Sequence, residues 1–290
     1  MRIYQQNNTA TANYTKRYFL YNRKQNNTYV RLRKIQILMK IRFLGTGTST
    51  GNPEIGCRCE VCKSKNTKDH RLRSSVLIDV DDKRILIDCG PDFRQQVMNI
   101  NFKKLHGILI THDHYDHVGG LDDLRPFNRF GNIEVYAGKS TENTLKSRYY
   151  YCFQEVKYPG VPCFSLNIVD DSPFYIEGVH ITPVNLMHHQ LPILGYRIGN
   201  LAYLTDLKYI PEEEFEKLKG IDTLIINALR IETHISHQTL DEALINIQRI
   251  APKKAYLIHM SHHVGLHDTV ENILPEGVHL AYDGLEIESE

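Results

Sequence analysis

Residues 107–117 read Gly107-Ile108-Leu109-Ile110-Thr111-His112-Asp113-His114-Tyr115-Asp116-His117. The first four are small or apolar and β-prone, too short a run for a helix, and predict a buried strand. The rest predict the loop leaving that strand, with His112, His114, Asp116 and His117 packed into six positions. Neutral imidazole is the commonest metal ligand in proteins, and carboxylate is its usual oxygen partner. In an extended segment residues two apart share a side. His112, His114 and Asp116 are therefore expected to face one cavity, with His117 turned to a neighbouring position. A solvated loop explains a lone histidine; it does not explain H-x-H-x-D-H directly after a strand.

Working outward, the chain has 290 residues, enough for one large domain with a full core and short for two. It carries 35 Lys and Arg against 34 Asp and Glu. That balance conceals an asymmetry. Residues 1–38 hold eight basic residues and no acid, which leaves 27 basic against 34 acidic, a net of about −7, for the body. Such a body lacks the basic balance of a nucleic-acid binder. No apolar run is long enough to span a bilayer, and the front segment has no apolar core of the secretory type. A reducing, cytoplasmic setting is therefore expected, in which the six cysteines are not expected to form a disulfide framework. Met39 stands immediately before the first convincing strand, Lys40–Leu44. The expectation is a folded domain over 39–290, preceded at 1–38 by a disordered or mis-assigned extension.

Strands are predicted at 75–79 and 84–88, joined by a turn at Asp81-Asp82, then at 133–137, 166–169, 179–184, 194–198, 201–205, 223–227 and 255–258. Helices are predicted from Pro91 to about Ile100, from Gly119 to a stop at Pro126, over 141–151 and 211–218, and from Leu240 behind the capping box Thr239-Leu-Asp-Glu242. Helices fall between strand groups in both halves. The expected fold class is α/β in the broad sense: an α+β, four-layer αββα sandwich of two mixed sheets with outer helices. The Gly45-Thr-Gly-Thr-Ser-Thr-Gly51 turn has neither the Lys of a P-loop nor dinucleotide spacing, and reads as a tight turn lining a site.

Seven candidate ligands fall at strand ends: His112, His114, Asp116, His117, His189, Asp206 and His259. Two divalent metals need about this many N and O donors with positions left for water, and a metal pair clamps an in-line displacement. Asp206 is the natural bridge because a carboxylate has two oxygens.

Here the sequence resembles a known family. Thr-His112-Asp-His114-Tyr-Asp116-His117 resembles the H-x-H-x-D-H motif of the metallo-β-lactamase-fold hydrolases. His189-Gln-Leu-Pro-Ile-Leu-Gly-Tyr196 is similar to the third motif of the tRNA 3′-processing endonucleases and the phosphonate-pathway cyclic phosphodiesterases. Tyr203-Leu-Thr-Asp206 resembles the bridging-Asp motif, and Leu257-Ile-His259-Met-Ser-His262 the last motif of the phosphodiesterase branch. The resemblance implies His112, His114 and His189 on one metal, Asp116, His117 and His259 on the other, and Asp206 between them. His188 adjoins His189, and the Leu-Pro-x-x-Gly-Tyr spacing that follows favours His189.

Cys57-Arg-Cys59-Glu-Val-Cys62 offers three thiolates, one short of a tetrahedral zinc. The phosphonate-pathway branch carries a similar trio, with a histidine three positions past the last motif. This makes His262 the expected fourth ligand of a structural zinc, tying the front loop to the back half. His263 is the weaker competitor, and three unbonded thiols the plain alternative. His237-x-Thr239 followed by Glu242-Ala243 resembles the H-x-T-x2-E-A motif of the phosphodiesterase branches. The resemblance places His237 to protonate the leaving oxygen or hold a phosphate oxygen, with Asp116 as a second participant in proton handling. The plain alternative is a histidine flanking a helix, and His234 is either its support or exposed. Arg125 and Arg230 are placed to meet a phosphate or to form ordinary ion pairs.

The expected activity is that of a metal-dependent phosphoric diester hydrolase: a binuclear phosphodiesterase with two active-site ions, Zn or Mn, and one structural Zn. By resemblance its substrate is a small cyclic or diester phosphate, phosphoribosyl 1,2-cyclic phosphate foremost. Nucleic acid and membrane are not expected partners, and homodimerisation is allowed. The competing readings are a tRNA 3′-processing endonuclease, a thioester or lactam hydrolase of the same fold, and a metal-stabilised binding protein without catalysis.

Overall fold

Pairing begins with β1 (Met39–Gly45), which runs antiparallel to β2 (Ser75–Val80); β2 turns back into β3 (Lys83–Ile87) at the expected Asp81-Asp82 hairpin. The computed structural model describes residues 38–289. The expectation of an extension at 1–38 falls on residues 1–37, outside the described residues. Eleven further strands follow: β4 (Gly107–Leu109), β5 (Ile133–Gly138), β6 (Phe164–Val169), β7 (Phe174–Ile176), β8 (Val179–His188), β9 (Leu191–Ile198), β10 (Leu201–Leu204), β11 (Thr223–Asn227), β12 (Lys254–Ile258), β13 (Val278–Leu280) and β14 (Glu286–Ser289). They form two seven-stranded mixed sheets, ordered β14-β1-β2-β3-β4-β5-β6 and β13-β12-β11-β10-β9-β8-β7.

Strand alternation explains why the sheets face each other. In β1, Met39, Ile41 and Phe43 point to the inner layer, where they meet Tyr196, Tyr203, Ile225 and Ile258 of the second sheet. The opposite faces are covered by helices. Outside the first sheet lie α1 (Phe93–Val97) and α3 (Lys139–Arg148), with Phe93 and Leu145 in the same apolar cluster as Leu86 and Ile108. Outside the second lies α5 (Leu240–Ile250), whose Leu240, Ala243, Ile247 and Ile250 recur at helical spacing and pack on Leu224, Ile226 and Leu257. The Thr239–Glu242 capping box that starts α5 is formed in both directions. The result is the four-layer sandwich expected from the sequence.

Two expectations need correction. Pro126 does not stop the segment after Gly120: a 3-10 helix runs from Leu121 to Phe130 through it. Proline removes a single i→i−3 donor there, and its fixed φ suits 3-10 geometry. Extended alternation also ends at His114, which is the N-cap of the short helix α2 (Tyr115–Val118). Asp116 and His117 therefore leave from a helical turn and point together, instead of Asp116 sharing a side with His112 and His114.

The Gly-rich turn is a packing device. A side chain at Gly45 would sit 2.0 Å from the Arg73 carbonyl, and Gly47 bridges both Arg73 and Met260. Thr48 N and Met260 N bond reciprocally to Met260 O and Thr46 O, at 3.2 and 3.0 Å, which fixes the backbone beside His259.

Candidate metal centre

The parallel strands β3, β4, β10 and β12 all deliver residues at their carboxyl ends, and β8, which runs in the same direction as β10, does so too. This is the edge at which open α/β sheets commonly hold ligands. Chain reversal there is abrupt. Asp88, His189, Asp206 and His259 have φ of 60, 55, 58 and 54°, in the left-handed region that Asp and His tolerate better than most residues. Each such residue costs roughly 1–3 kcal/mol of backbone strain, and strain of this kind gathers at sites of chemistry.

Asp116, His117, Asp206 and His259 bring their ligand atoms within 4.8 Å of one another, and all four are buried. His117 Nε2 lies 3.2 Å from Asp116 Oδ2 and 3.3 Å from Asp206 Oδ1, while His259 Nε2 lies 3.4 and 3.2 Å from Oδ2 of the same two residues. His112 Nε2 is 3.8 Å from Asp206 Oδ2 and 3.0 Å from His114 Nδ1. Asp206 thus stands between two groups of imidazoles. His112 is buried and His114 exposed, so the second group opens toward solvent.

His188, and not His189, belongs to this second group. Its ring lies 5.8 Å from His112, 5.1 Å from His114 and 4.5 Å from His237, and its Nδ1 donates to the Asp206 carbonyl at 2.7 Å. His188, Asp206 and His237 form a second cluster of metal-ligating atoms. His189 is exposed and occupies the first position of the two-residue turn between β8 and β9, where His188 pairs with Leu191. The expectation for His189 is therefore corrected. The Leu-Pro-x-x-Gly-Tyr spacing that favoured it does a different job. Tyr196 Oη donates to Ile110 O at 2.7 Å and Leu194 N to Thr111 O at 3.0 Å, so these residues hold the strand that carries the metal loop. Gly195 is required because a Cβ would approach Leu204 Cδ2 at 2.6 Å. The signal for His188 was the period-two run Val184, Leu186, His188, the buried members of β8 near its end.

A residue not singled out from the sequence organises both groups. Asp88 is wholly buried and accepts from Thr111 N (2.9 Å), Thr111 Oγ1 (2.9 Å) and His117 Nδ1 (2.7 Å), the donor set of an ionised carboxylate. Thr111 Oγ1, having donated to Asp88, accepts from His112 Nδ1 at 3.0 Å. One carboxylate thus fixes the tautomers of His117 directly and of His112 through Thr111, leaving both Nε2 lone pairs aimed at the centre. The sequence did carry a signal for it. Arg84-Ile-Leu-Ile-Asp88 ends a strand in a carboxylate, as Leu201–Asp206 does.

The donor set fits divalent cations. His117 Nε2 is buried with no hydrogen-bond partner, yet faces two carboxylates. Burial opposes a charge on this imidazole, but Asp206, Asp116 and Asp88 drive its pKa well above the usual value. The same site opposes carboxylate charge by burial, while His259 and His117 hold Asp206 well below the usual range. A site that demands a positive charge at that point, and offers a lone pair there, is satisfied by a metal ion in place of a proton.

Cys57, Cys59, Cys62 and His262 form a second cluster within 4.8 Å, with His262 Nδ1 3.7 Å from Cys57 Sγ and 3.3 Å from Cys59 Sγ. Backbone N–H donation from Cys62 heads the causes that lower the Cys59 thiol to about 6, which favours the ligating thiolate. On its far side, His262 Nε2 meets Glu54 Oε2 at 3.0 Å, the carboxylate–histidine arrangement that orients a metal ligand. His263 is exposed.

His237 lies beside the first centre. Its buried Nδ1 has no hydrogen-bond partner and is 4.0 Å from Asp206 Oδ2, and its ring lies 5.0 Å from that of His259. The H-x-T-x2-E-A residues hold it there. Thr239 and Glu242 form the capping box, Glu242 pairs with Lys208 at 2.8 Å, and Gln238 is fixed through its N to Leu207 O at 3.0 Å and its side chain to Asn227 O at 2.5 Å. Arg125 pairs with Asp122 at 2.8 Å, whereas Arg230 donates to the carbonyls of Glu232 and Thr233. A separate cavity of about 470 Å³, lined by Phe93, Phe102, Phe127 and the Asp122–Arg125 pair, lies outside the first sheet and contains none of the candidate metal ligands.

Comparison with known proteins agrees with this fold. Residues 83–260 match the family described as beta-lactamase superfamily domain. The chain is 39% identical, with a TM-score of 0.81, to a solved structure described as a new diphosphatase from the PhnP family, covering 87% of this chain and 97% of that one. It is 47% identical over 251 residues to an octanoyltransferase of Porphyromonas gingivalis, covering 86% of this chain but 51% of that protein, so it spans about half the length of that relative. It is 30% identical over 227 residues to coenzyme PQQ synthesis protein B of Methylorubrum extorquens, covering 67% of this chain and 74% of that protein.

Proposed function

Since this chain belongs to the β-lactamase superfamily of metallo-β-lactamase-fold hydrolases, we propose that it is a binuclear metal-dependent phosphodiesterase acting on a small cyclic or diester phosphate. A phosphoribosyl 1,2-cyclic phosphate leads the candidate substrates. One observation carries the reading: a buried imidazole, His237, stands with an unpartnered Nδ1 4.0 Å from Asp206 Oδ2, beside two groups of candidate ligands that each already have three other donors. The diphosphatase name of the PhnP-family relative supports phosphoryl chemistry.

In this reading His112, His114 and His188 hold one divalent ion, Asp116, His117 and His259 the other, and Asp206 lies between. Such a pair supplies charge neutralisation at the phosphoryl oxygens and an activated water. The chain's own residues do the rest. Asp88 keeps His117 and, through Thr111, His112 in the ligating tautomer. His237 serves the departing oxygen. Burial pushes its pKa down to about 3 against the pull of Asp206, so it rests neutral. An arriving phosphodiester brings negative charge beside it and favours its protonated form. The proton is thus taken up with the substrate and passed to the leaving alkoxide, a contribution of about 10²–10⁴ in rate. Asp116, against His117 and His259, is placed to take part in proton handling as well as to ligate. The Cys57, Cys59, Cys62 and His262 cluster holds a structural zinc that buttresses the loop next to His259.

The octanoyltransferase name favours a second reading, thioester hydrolysis, in which His237 has no leaving oxygen of alkoxide basicity to serve. Turnover of cyclic phosphodiesters, an octanoyl thioester and a lactam by one metal-replete preparation separates the two. The expected result is phosphodiester turnover that falls in H114A and H237A. Thioester turnover alone would overturn the proposal.

A further inference from the structure

We propose that His234 is a positioning residue: its imidazole fastens the main chain of the 234–237 turn and so decides where His237 stands. The inference rests on the assignment of His237 to the departing oxygen.

The turn is an excursion between two anchored stems. Leu229 N donates to Gln238 O at 3.1 Å and Leu240 N to Arg230 O at 3.0 Å. Between the stems Ile231 and Ile235 are exposed, 48% and 71%, so apolar packing does little to order this segment. Polar contacts must hold it. His234 Nδ1 lies 3.3 Å from Ser236 N, 3.3 Å from Ser236 Oγ and 3.3 Å from His237 N. Main-chain N–H groups can only donate, so Nδ1 accepts; the ring is neutral and carries its hydrogen on Nε2. A side-chain acceptor that takes the N–H groups two and three residues ahead is the geometry of an Asx turn or helix N-cap, here built with imidazole. The rings of His234 and His237 lie 5.2 Å apart.

His237 is therefore held from both sides. Gln238 fixes the chain after it, and His234 accepts its own N–H before it. Removing the earlier acceptor frees the approach to His237 while leaving its ring chemistry and the metal ligands unchanged. A displacement of about 1 Å is enough to cost roughly 10²-fold in rate.

The test compares H234A, H234N, H237A and the double variant H234A/H237A on two phosphodiesters. One is bis(p-nitrophenyl) phosphate, whose p-nitrophenolate leaves without a proton. The other is a cyclic diester with an alkoxide leaving group. H234A is expected to lower kcat on the cyclic ester by about 10-fold to 100-fold, with KM and turnover of the p-nitrophenyl ester little changed. H234N keeps an acceptor at the turn and restores most of the loss. The double variant is no slower than H237A, as expected when one residue acts through the other. Equal losses on both substrates, or additive losses in the double variant, overturn the proposal. An H237A enzyme with full activity on the cyclic ester refutes instead the assignment of His237. Long-range 1H–15N correlation of the His234 ring gives a readout independent of turnover: a protonated Nδ1 also overturns the proposal.

Discussion

Asp88 accepts the Nδ1–H of His117 at 2.7 Å with both side chains entirely buried, and the same carboxylate reaches His112 through Thr111. It thus sets ligands on both sides of Asp206. Asp88→Asn is expected to weaken metal binding by about 10–100-fold, the usual effect of losing an orienting partner, and to do so for both ions. Competition titration against a chelator, with counting of the ions retained, checks this. Loss confined to one ion would show that the Thr111 relay has no effect on His112.

The histidine pair at the β8–β9 turn gives a sharper contrast. His188→Ala removes a ring packed against His112 and His114, and is expected to lower activity by at least about 100-fold. His189→Ala changes an exposed turn residue at φ 55°, where Ala is tolerated less well than His, and is expected to cost about 1 kcal/mol of stability with activity retained. Steady-state kinetics and urea unfolding of the two variants decide. Full activity in H188A together with inactive H189A would reverse the assignment.

The thiolate cluster should behave as an independent site. Cys59→Ser is expected to cost one metal per chain by elemental mass spectrometry and to leave the pair in place. Glu54→Ala, which removes the partner of His262 Nε2 at 3.0 Å, is expected to weaken the same ion by about 10-fold without abolishing it. An unchanged metal count in C59S would remove the structural zinc from the account.

One pH dependence follows from a group outside the candidate ligand set. Asp283 accepts from Leu72 N at 2.6 Å and Thr46 Oγ1 at 2.8 Å, but burial dominates and raises its carboxyl to about 6. The folded state therefore prefers the protonated form more than the unfolded chain does. Its stabilising contribution is complete below about pH 4 and is lost as pH rises through 6, by up to about 3 kcal/mol. Asp283→Asn cannot titrate. The difference in unfolding free energy between wild type and D283N should fall between pH 4 and 7; a flat difference would contradict the shift. Acid loss of metal is common to both proteins and cancels.

Most of the sandwich was legible because its signals are local. Strand runs such as Thr223–Asn227, the Asp81-Asp82 hairpin and the Thr239–Glu242 capping box are each written within a few residues. The candidate ligands His112, His114, Asp116, His117, Asp206 and His259, which the fold brings to one edge, were legible from strand ends that terminate in imidazole or carboxylate. What escaped was non-local. His188 and His189 differ by one position, and only the register of β8 against β9 decides which faces the centre. The Gly195-Tyr196 spacing misled because it serves a contact with Ile110, 86 residues away. Asp88 was hidden because its partner His117 lies on another strand's loop, and Glu54 because its partner His262 lies in the other sheet's half.

The left-handed residues at 88, 206 and 259 carry an evolutionary consequence. Glycine is the residue the backbone itself would choose at such positions. Asp206 and His259 stand there against that preference, and in the proposed reading their role as metal ligands is what requires them. A duplicated copy released from catalysis would drift first at these positions and toward glycine, gaining backbone ease as it lost its ions. Glycine at 206 and 259 in an otherwise intact sandwich would mark a descendant that has exchanged hydrolysis for some other use of the fold.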